Sequence, residues 1–213
     1  MDNTYQETFK TWNKIAQQYE DSFMDLELYN DTYDIFCGSI HKKNASLLEI
    51  GCGPGNITKY ISTRNPSYKI HAIDVSKKMI ELARKNNPNT DFEVMDCRNL
   101  TDLQKIVDGV ICGFTIPYIS KSDCTKLFYN CCNLLKENGM FYVSFVAGHY
   151  KNSGFIKGSA GDRVYFHFHE LERIKEELEK NSLSTIHLID KEYQKLDGTT
   201  EVHTIIIARK NIG

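Results

Sequence analysis

Residues 49–55 read Glu49-Ile50-Gly51-Cys52-Gly53-Pro54-Gly55, and two further carboxylates, Asp74 and Asp96, each close a short apolar run. Glycines at a strand end let backbone approach a ligand with no Cβ in the way. In an open α/β sheet that position lies over the crevice where ligands bind. Two chemistries compete for such a loop. A dinucleotide fingerprint, G-x-G-x-x-G, seats a pyrophosphate on the following helix N-terminus. Here its last position is Asn56, and the third glycine comes one residue early. Glu49 stands just before the loop, where a carboxylate suits a cationic ligand better than a diphosphate. Asp74 is placed to accept both hydroxyls of a ribose, but an NAD enzyme would carry an acid there too.

The elements that position these groups are legible from periodicity. Residues 4–41 read as helical, with Phe9, Trp12, Ile15, Ala16 and Tyr19 at helical spacing. Short apolar runs then alternate with helical stretches. Strands are predicted at 47–50, 69–73, 92–95, 107–112 and 140–146, with helices at about 54–64, 77–86, 99–105 and 122–135 between them. Ser76 reads as an N-cap for the helix carrying Met79. Residues 148–161 read as a loop, 168–180 as a helix, and 185–193 with 202–208 as a hairpin turning at Asp197-Gly198. Alternation of this kind predicts an α/β fold, a doubly wound parallel sheet with helices on both faces that ends in an antiparallel pair.

Glu49-x-Gly51-x-Gly53-x-Gly55 resembles motif I of the class I S-adenosylmethionine-dependent methyltransferases, and the likeness runs over about residues 46–146. Asp108-Gly109-Val110-Ile111-Cys112-Gly113-Phe114 is similar to the family's fourth-strand motif. The resemblance implies a Rossmann-like seven-stranded sheet and S-adenosyl-L-methionine as cofactor. It also implies one domain over 1–213, with 1–44 as a helical cap and 45–213 as the cofactor-binding core. On the matching positions, Gly51, Cys52 and Gly53 would approach the methionine moiety, with Glu49 supporting its ammonium. Asp74 would hold the ribose, and Val75 and Met79 would pack against adenine. Asp96 and Cys97 would read the adenine edge and Arg98 would cover it. Gly113 and Phe114 would lie near the sulfonium, and Tyr19 would close over the cofactor. Two alternatives stay open: a small NAD(P)-binding oxidoreductase-like domain, and an S-adenosylmethionine-binding module without transfer activity.

No single catalytic residue is compulsory, because an electrophilic methyl needs positioning more than a base. Tyr118 and His149 follow the fourth and fifth strands and are the candidates on the ligand edge. His167 and His169 share one face of an extended segment, but no third ligand accompanies them, so no metal site is predicted. Vicinal Cys131 and Cys132 fall in a helix pattern and read as packing residues.

Composition narrows the partners. The chain has 213 residues, 26 Lys+Arg against 28 Asp+Glu, and a formal net charge of -2. The electrostatic footprint of a nucleic-acid binder is missing, so a small-molecule methyl acceptor is expected and nucleic acid is not. No apolar run approaches the ~20 residues of a membrane span, and the N-terminus lacks a secretory apolar region, so a cytoplasmic location is expected. Seven cysteines without C-x-x-C spacing predict reduced thiols rather than a disulfide framework.

Overall fold

The computed structural model describes residues 3–158, 161–195 and 197–212; Ser159 and Ala160 of the predicted 148–161 loop lie outside these. The predicted N-terminal helical stretch is three helices: α1 (Asn3–Lys14), α2 (Ala16–Phe23) and α3 (Asn30–Gly38). Ile15 leaves helical geometry at φ -94°, ψ 13°, which breaks α1 from α2.

The core alternates as expected: β1 (Ser46–Ile50), α4 (Asn56–Arg64), β2 (Lys69–Asp74), α5 (Lys77–Asn86), β3 (Asp91–Val94), β4 (Val107–Gly113), α6 (Lys121–Leu134) and β5 (Leu135–Phe145). A 3-10 turn, Cys97–Asp102, links β3 to β4. Ser76 caps α5 by accepting from Met79 N at 3.2 Å. The second half adds β6 (Gly154–Lys157), β7 (Arg163–Phe166), α7 (Leu171–Lys180), β8 (Leu183–Gln194) and β9 (Thr200–Lys210).

Seven strands form one sheet in the order β3-β2-β1-β4-β5-β9-β8. The first five run parallel, while β9 lies antiparallel to β5 and β8 antiparallel to β9. Strand order therefore reverses between β1 and β4, the point where such sheets open a ligand crevice. Successive residues face opposite cores, as the two-residue strand period requires. Leu48, Val110, Phe141 and Ile206 pack with α6 and α7 on one face. Leu47, Ile111, Tyr142 and Ile207 pack with α3 and α4 on the other.

The predicted 148–161 loop is only partly a loop. A short turn at Tyr150–Asn152 leads into β6, which pairs antiparallel with β7. The rings of Phe155 and Tyr165 meet edge to face at 5.1 Å, and the Arg163 guanidinium lies 4.1 Å from the Phe155 centroid. Two backbone groups of β7 bond to side chains of α1. Thr11 Oγ1 donates to Arg163 O at 2.8 Å, and Tyr165 N donates to Thr8 Oγ1 at 2.9 Å. Among the described residues, no helix is long and apolar enough to cross a membrane.

Candidate active site

The loop after β1 is built of left-handed turns. Gly51 has φ +68° and Gly53 φ +54°, a region an L side chain enters only under strain. A Cβ on Gly51 would stand 2.2 Å from Thr115 Oγ1, whose hydroxyl donates to Ile50 O at 2.8 Å. Gly51 is thus fixed by packing against the β4 side of the crevice. Gly53 differs, since a Cβ there would meet only Tyr19 Cε1, at 3.6 Å. Its backbone faces a cavity.

Asp74, at the end of β2, ties this loop to the next one. Its Oδ2 accepts from Gly53 N at 2.9 Å and its Oδ1 from Ser76 N at 2.8 Å. Burial raises the Asp74 carboxyl above the usual carboxylate range, against the pull of those two N–H groups. A carboxylate has about four acceptor sites, so roughly two remain for a ligand. Glu49 lies beneath the loop and is 1% exposed. Thr58 Oγ1 donates to its Oε2 at 2.5 Å, while Oε1 is buried with no partner. Burial pushes the Glu49 carboxyl up to about 8. A buried, bare carboxyl oxygen is what an incoming ammonium would pair with.

Asp96 is more committed. It caps the 3-10 turn by accepting from Arg98 N at 3.0 Å, and the Arg98 guanidinium clamps it with Nη2 to Oδ2 at 2.5 Å. The guanidinium then lies 3.9 Å from the Tyr5 centroid on α1.

The cavity over the crevice brings together eleven of the residues expected at the site: Tyr19, Gly51, Gly53, Asp74, Val75, Met79, Asp96, Cys97, Gly113, Phe114 and Tyr118. Four do not line it. Glu49 and Cys52 are buried behind the loop, Arg98 is turned onto Asp96 and Tyr5, and His149 is exposed beside the Tyr150–Asn152 turn. The wall also contains residues the sequence did not single out for a site, among them Phe9, Trp12, Met95, Thr115 and Ile119. Phe9 and Trp12 already stood in the helical pattern of the N-terminus, with no site role attached to them. Trp12 meets Tyr118 edge to face at 5.0 Å and Tyr19 at 5.6 Å.

Behind Phe114 lies a chain of contacts with no local signature in the sequence. The Phe114 backbone sits at φ 48° and its N–H donates to Ser144 Oγ at 3.0 Å. Its ring touches Tyr29 at 5.2 Å and His203 at 4.9 Å. Tyr29 and His203 share a buried hydrogen bond, and His203 is also bonded to Glu201. The expected histidine pair is used structurally: His169 Nε2 lies 2.9 Å from Ile116 O, and Tyr150 Oη lies 3.3 Å from His167 Nδ1.

Residues 47–139 match the family model described as a methyltransferase domain. A putative methyltransferase, 235L, of Invertebrate iridescent virus 6 is 30% identical over 136 residues, covering 64% of this chain and 49% of the relative. Malonyl-[acyl-carrier protein] O-methyltransferase 1 of Ilyobacter polytropus is 27% identical over 201 residues, covering 91% of this chain and 61% of the relative. The chain thus spans about half the length of the first relative and 61% of the second. A solved structure described as a DhpI–SAH complex superposes with TM-score 0.77 over 100% of both chains at 14% identity, a likeness of fold. Over residues 47–139 the chain is therefore similar to methyltransferase domains, and its sheet has the Rossmann-like fold of the S-adenosylmethionine-dependent methyltransferases, whose cofactor is S-adenosyl-L-methionine.

Proposed function

We propose that this chain transfers a methyl group by in-line displacement to a nucleophile on a small-molecule acceptor, as a single domain whose residues 1–44 cap the crevice. The observation that carries the reading is the buried Glu49 Oε1 without a partner, beneath glycines whose backbone faces the cavity. S-adenosyl-L-methionine supplies an electrophilic methyl on a sulfonium when bound.

This chain's residues then bind, orient and exclude water. Glu49 pairs with the ligand ammonium, and the Gly51–Gly53 backbone lies along the amino-acid moiety with Cys52 packed behind it. Asp74 accepts the ribose hydroxyls with its remaining lone pairs. Val75 and Met79 hold the adenine face, while Asp96 and the Cys97 backbone read its edge. Arg98 is a positioning residue that fixes the Asp96 carboxylate. Gly113 and Phe114 shape the floor near the reacting carbon, and Tyr19 closes above it. Orientation of this kind supplies much of the rate of a displacement that needs no early proton loss.

The relatives are named for acceptors as different as a malonyl-[acyl-carrier protein], a tRNA cytidine and trans-aconitate, so none is transferred to this chain. Calorimetry with S-adenosylhomocysteine and with NADH tests the cofactor; binding of NADH alone would overturn the reading. Incubation of the protein and cofactor with a metabolite extract, followed by mass spectrometry, tests transfer. Cofactor binding with no methylated product would favour a binding module without activity.

A further inference from the structure

The charges of the cavity wall are one-sided. Among the described residues, Asp74 and Asp96 are the only charged side chains that line it, and no Lys, Arg or His does. None of Met1, Asp2, Ser159, Ala160, Leu196 or Gly213, which fall outside the described set, carries a basic side chain either. Three cations on adjoining elements are paired. Arg98 is clamped by Asp96, Lys14 by Asp162 at 2.8 Å, and Arg163 by Glu7. His203 is buried behind Phe114 against Tyr29 and Glu201.

An acceptor anchored through a carboxylate or phosphate would find no counter-charge on this wall. Burying such a group unpaired costs several kcal/mol, and Asp74 would repel it further. A cation meets the opposite situation. Trp12, Tyr19 and Tyr118 all line the cavity, and Trp12 is inclined at 90° to Tyr19 and 76° to Tyr118. Phe23 backs Tyr19 at 4.6 Å and Phe166 meets Tyr118 edge to face at 5.8 Å, so the three rings form one aromatic wall of the cavity. Indole and phenol rings attract ammonium groups.

Resting on the proposed function, we infer that the acceptor carries an ammonium group and no anionic anchor, the ammonium being held against the ring faces of Trp12, Tyr19 and Tyr118. These three rings select the acceptor by charge.

The protein reports on this itself, because Trp12 is its single tryptophan. Calorimetry first establishes loading with S-adenosylhomocysteine; if loading fails, the proposed function fails and not merely this inference. The loaded protein is then titrated, by Trp12 fluorescence, with benzyltrimethylammonium and with phenylacetate, which share a ring and differ in charge. S-adenosylhomocysteine has no sulfonium, so the comparison reads the protein's own charge. The expected result is saturable binding of the ammonium at least about tenfold tighter than the carboxylate, since one good cation–ring contact is of that size. Tyr118→Leu should lower ammonium affinity about tenfold and Tyr118→Phe should retain it, because the ring face and not the hydroxyl makes the contact. Equal or tighter binding of phenylacetate overturns the inference, and so does failure of the ammonium to bind. An ammonium probe that binds only the unloaded protein would assign the rings to the cofactor, and that also overturns it.

Discussion

Tyr29 donates its phenol to Nδ1 of His203 across 2.6 Å, and His203 Nε2 lies 3.1 Å from Glu201 Oε1. A carboxylate only accepts, so Nε2 carries the proton and Nδ1 is left to accept from the phenol. Burial holds the His203 imidazole below its ordinary value and keeps it neutral. The unfolded chain therefore takes up the proton first as pH falls, and stability should drop as pH goes below about 6.5. Denaturant titrations at successive pH values should show that loss, and His203→Gln should make the slope shallower. An unchanged slope would remove His203 as its source.

Tyr29→Phe keeps the ring and deletes the donor, leaving His203 Nδ1 buried and unpaired. A loss of about 1–3 kcal/mol in unfolding free energy is expected. A double cycle with His203→Gln should recover part of it, which additive losses would contradict.

Glu49 carries a carboxyl raised to about 8 by burial, so near neutral pH it is largely protonated. Pairing with a ligand ammonium favours the ionised form, and binding must release that proton. S-adenosylhomocysteine affinity should rise from about pH 6 to pH 8, by up to about tenfold per unit. Calorimetry in buffers of different ionisation enthalpy should count the released proton. Glu49→Gln should bind more weakly and lose this pH dependence.

Asp74→Ala removes both the proposed ribose acceptor and the bond from Gly53 N. S-adenosylhomocysteine binding should weaken by about 1–3 kcal/mol in a folded protein. Unchanged affinity would count against the assigned role.

Gly51→Ala combines a left-handed backbone with a Cβ 2.2 Å from Thr115 Oγ1. Backbone strain alone costs about 1–3 kcal/mol, and the clash adds to it. Thr115→Ala in the same chain should relieve the clash but not the strain. A double variant no more stable than Gly51→Ala would refute that division.

What could be read in the sequence was local. Glu49, Gly51, Gly53, Asp74 and Asp96 lie within or just after strands whose apolar runs announce them, so their common edge followed from the alternation of elements. Tyr29 and His203 are 174 positions apart, and only the antiparallel return of β9 beside β5 brings them together. Arg98 could be placed near Asp96 but not aimed, since a guanidinium that reaches adenine also reaches its own neighbour. Ribbon β6–β7 has little local signal because its strands are four residues each and β7 leans on the Thr8 and Thr11 hydroxyls of α1.

Strand β9 holds an inner place in the sheet, between β5 and β8, although it is the last strand to be made. Until residues 200–210 arrive, β5 presents an unpaired edge that includes Tyr142 and Val143, both fully buried once the sheet is complete. The sheet therefore closes by long-range pairing, which is slow, and a nascent or cleaved chain lacking this strand offers a template for association with other chains. During synthesis such a chain would draw on chaperones until its final strand is inserted.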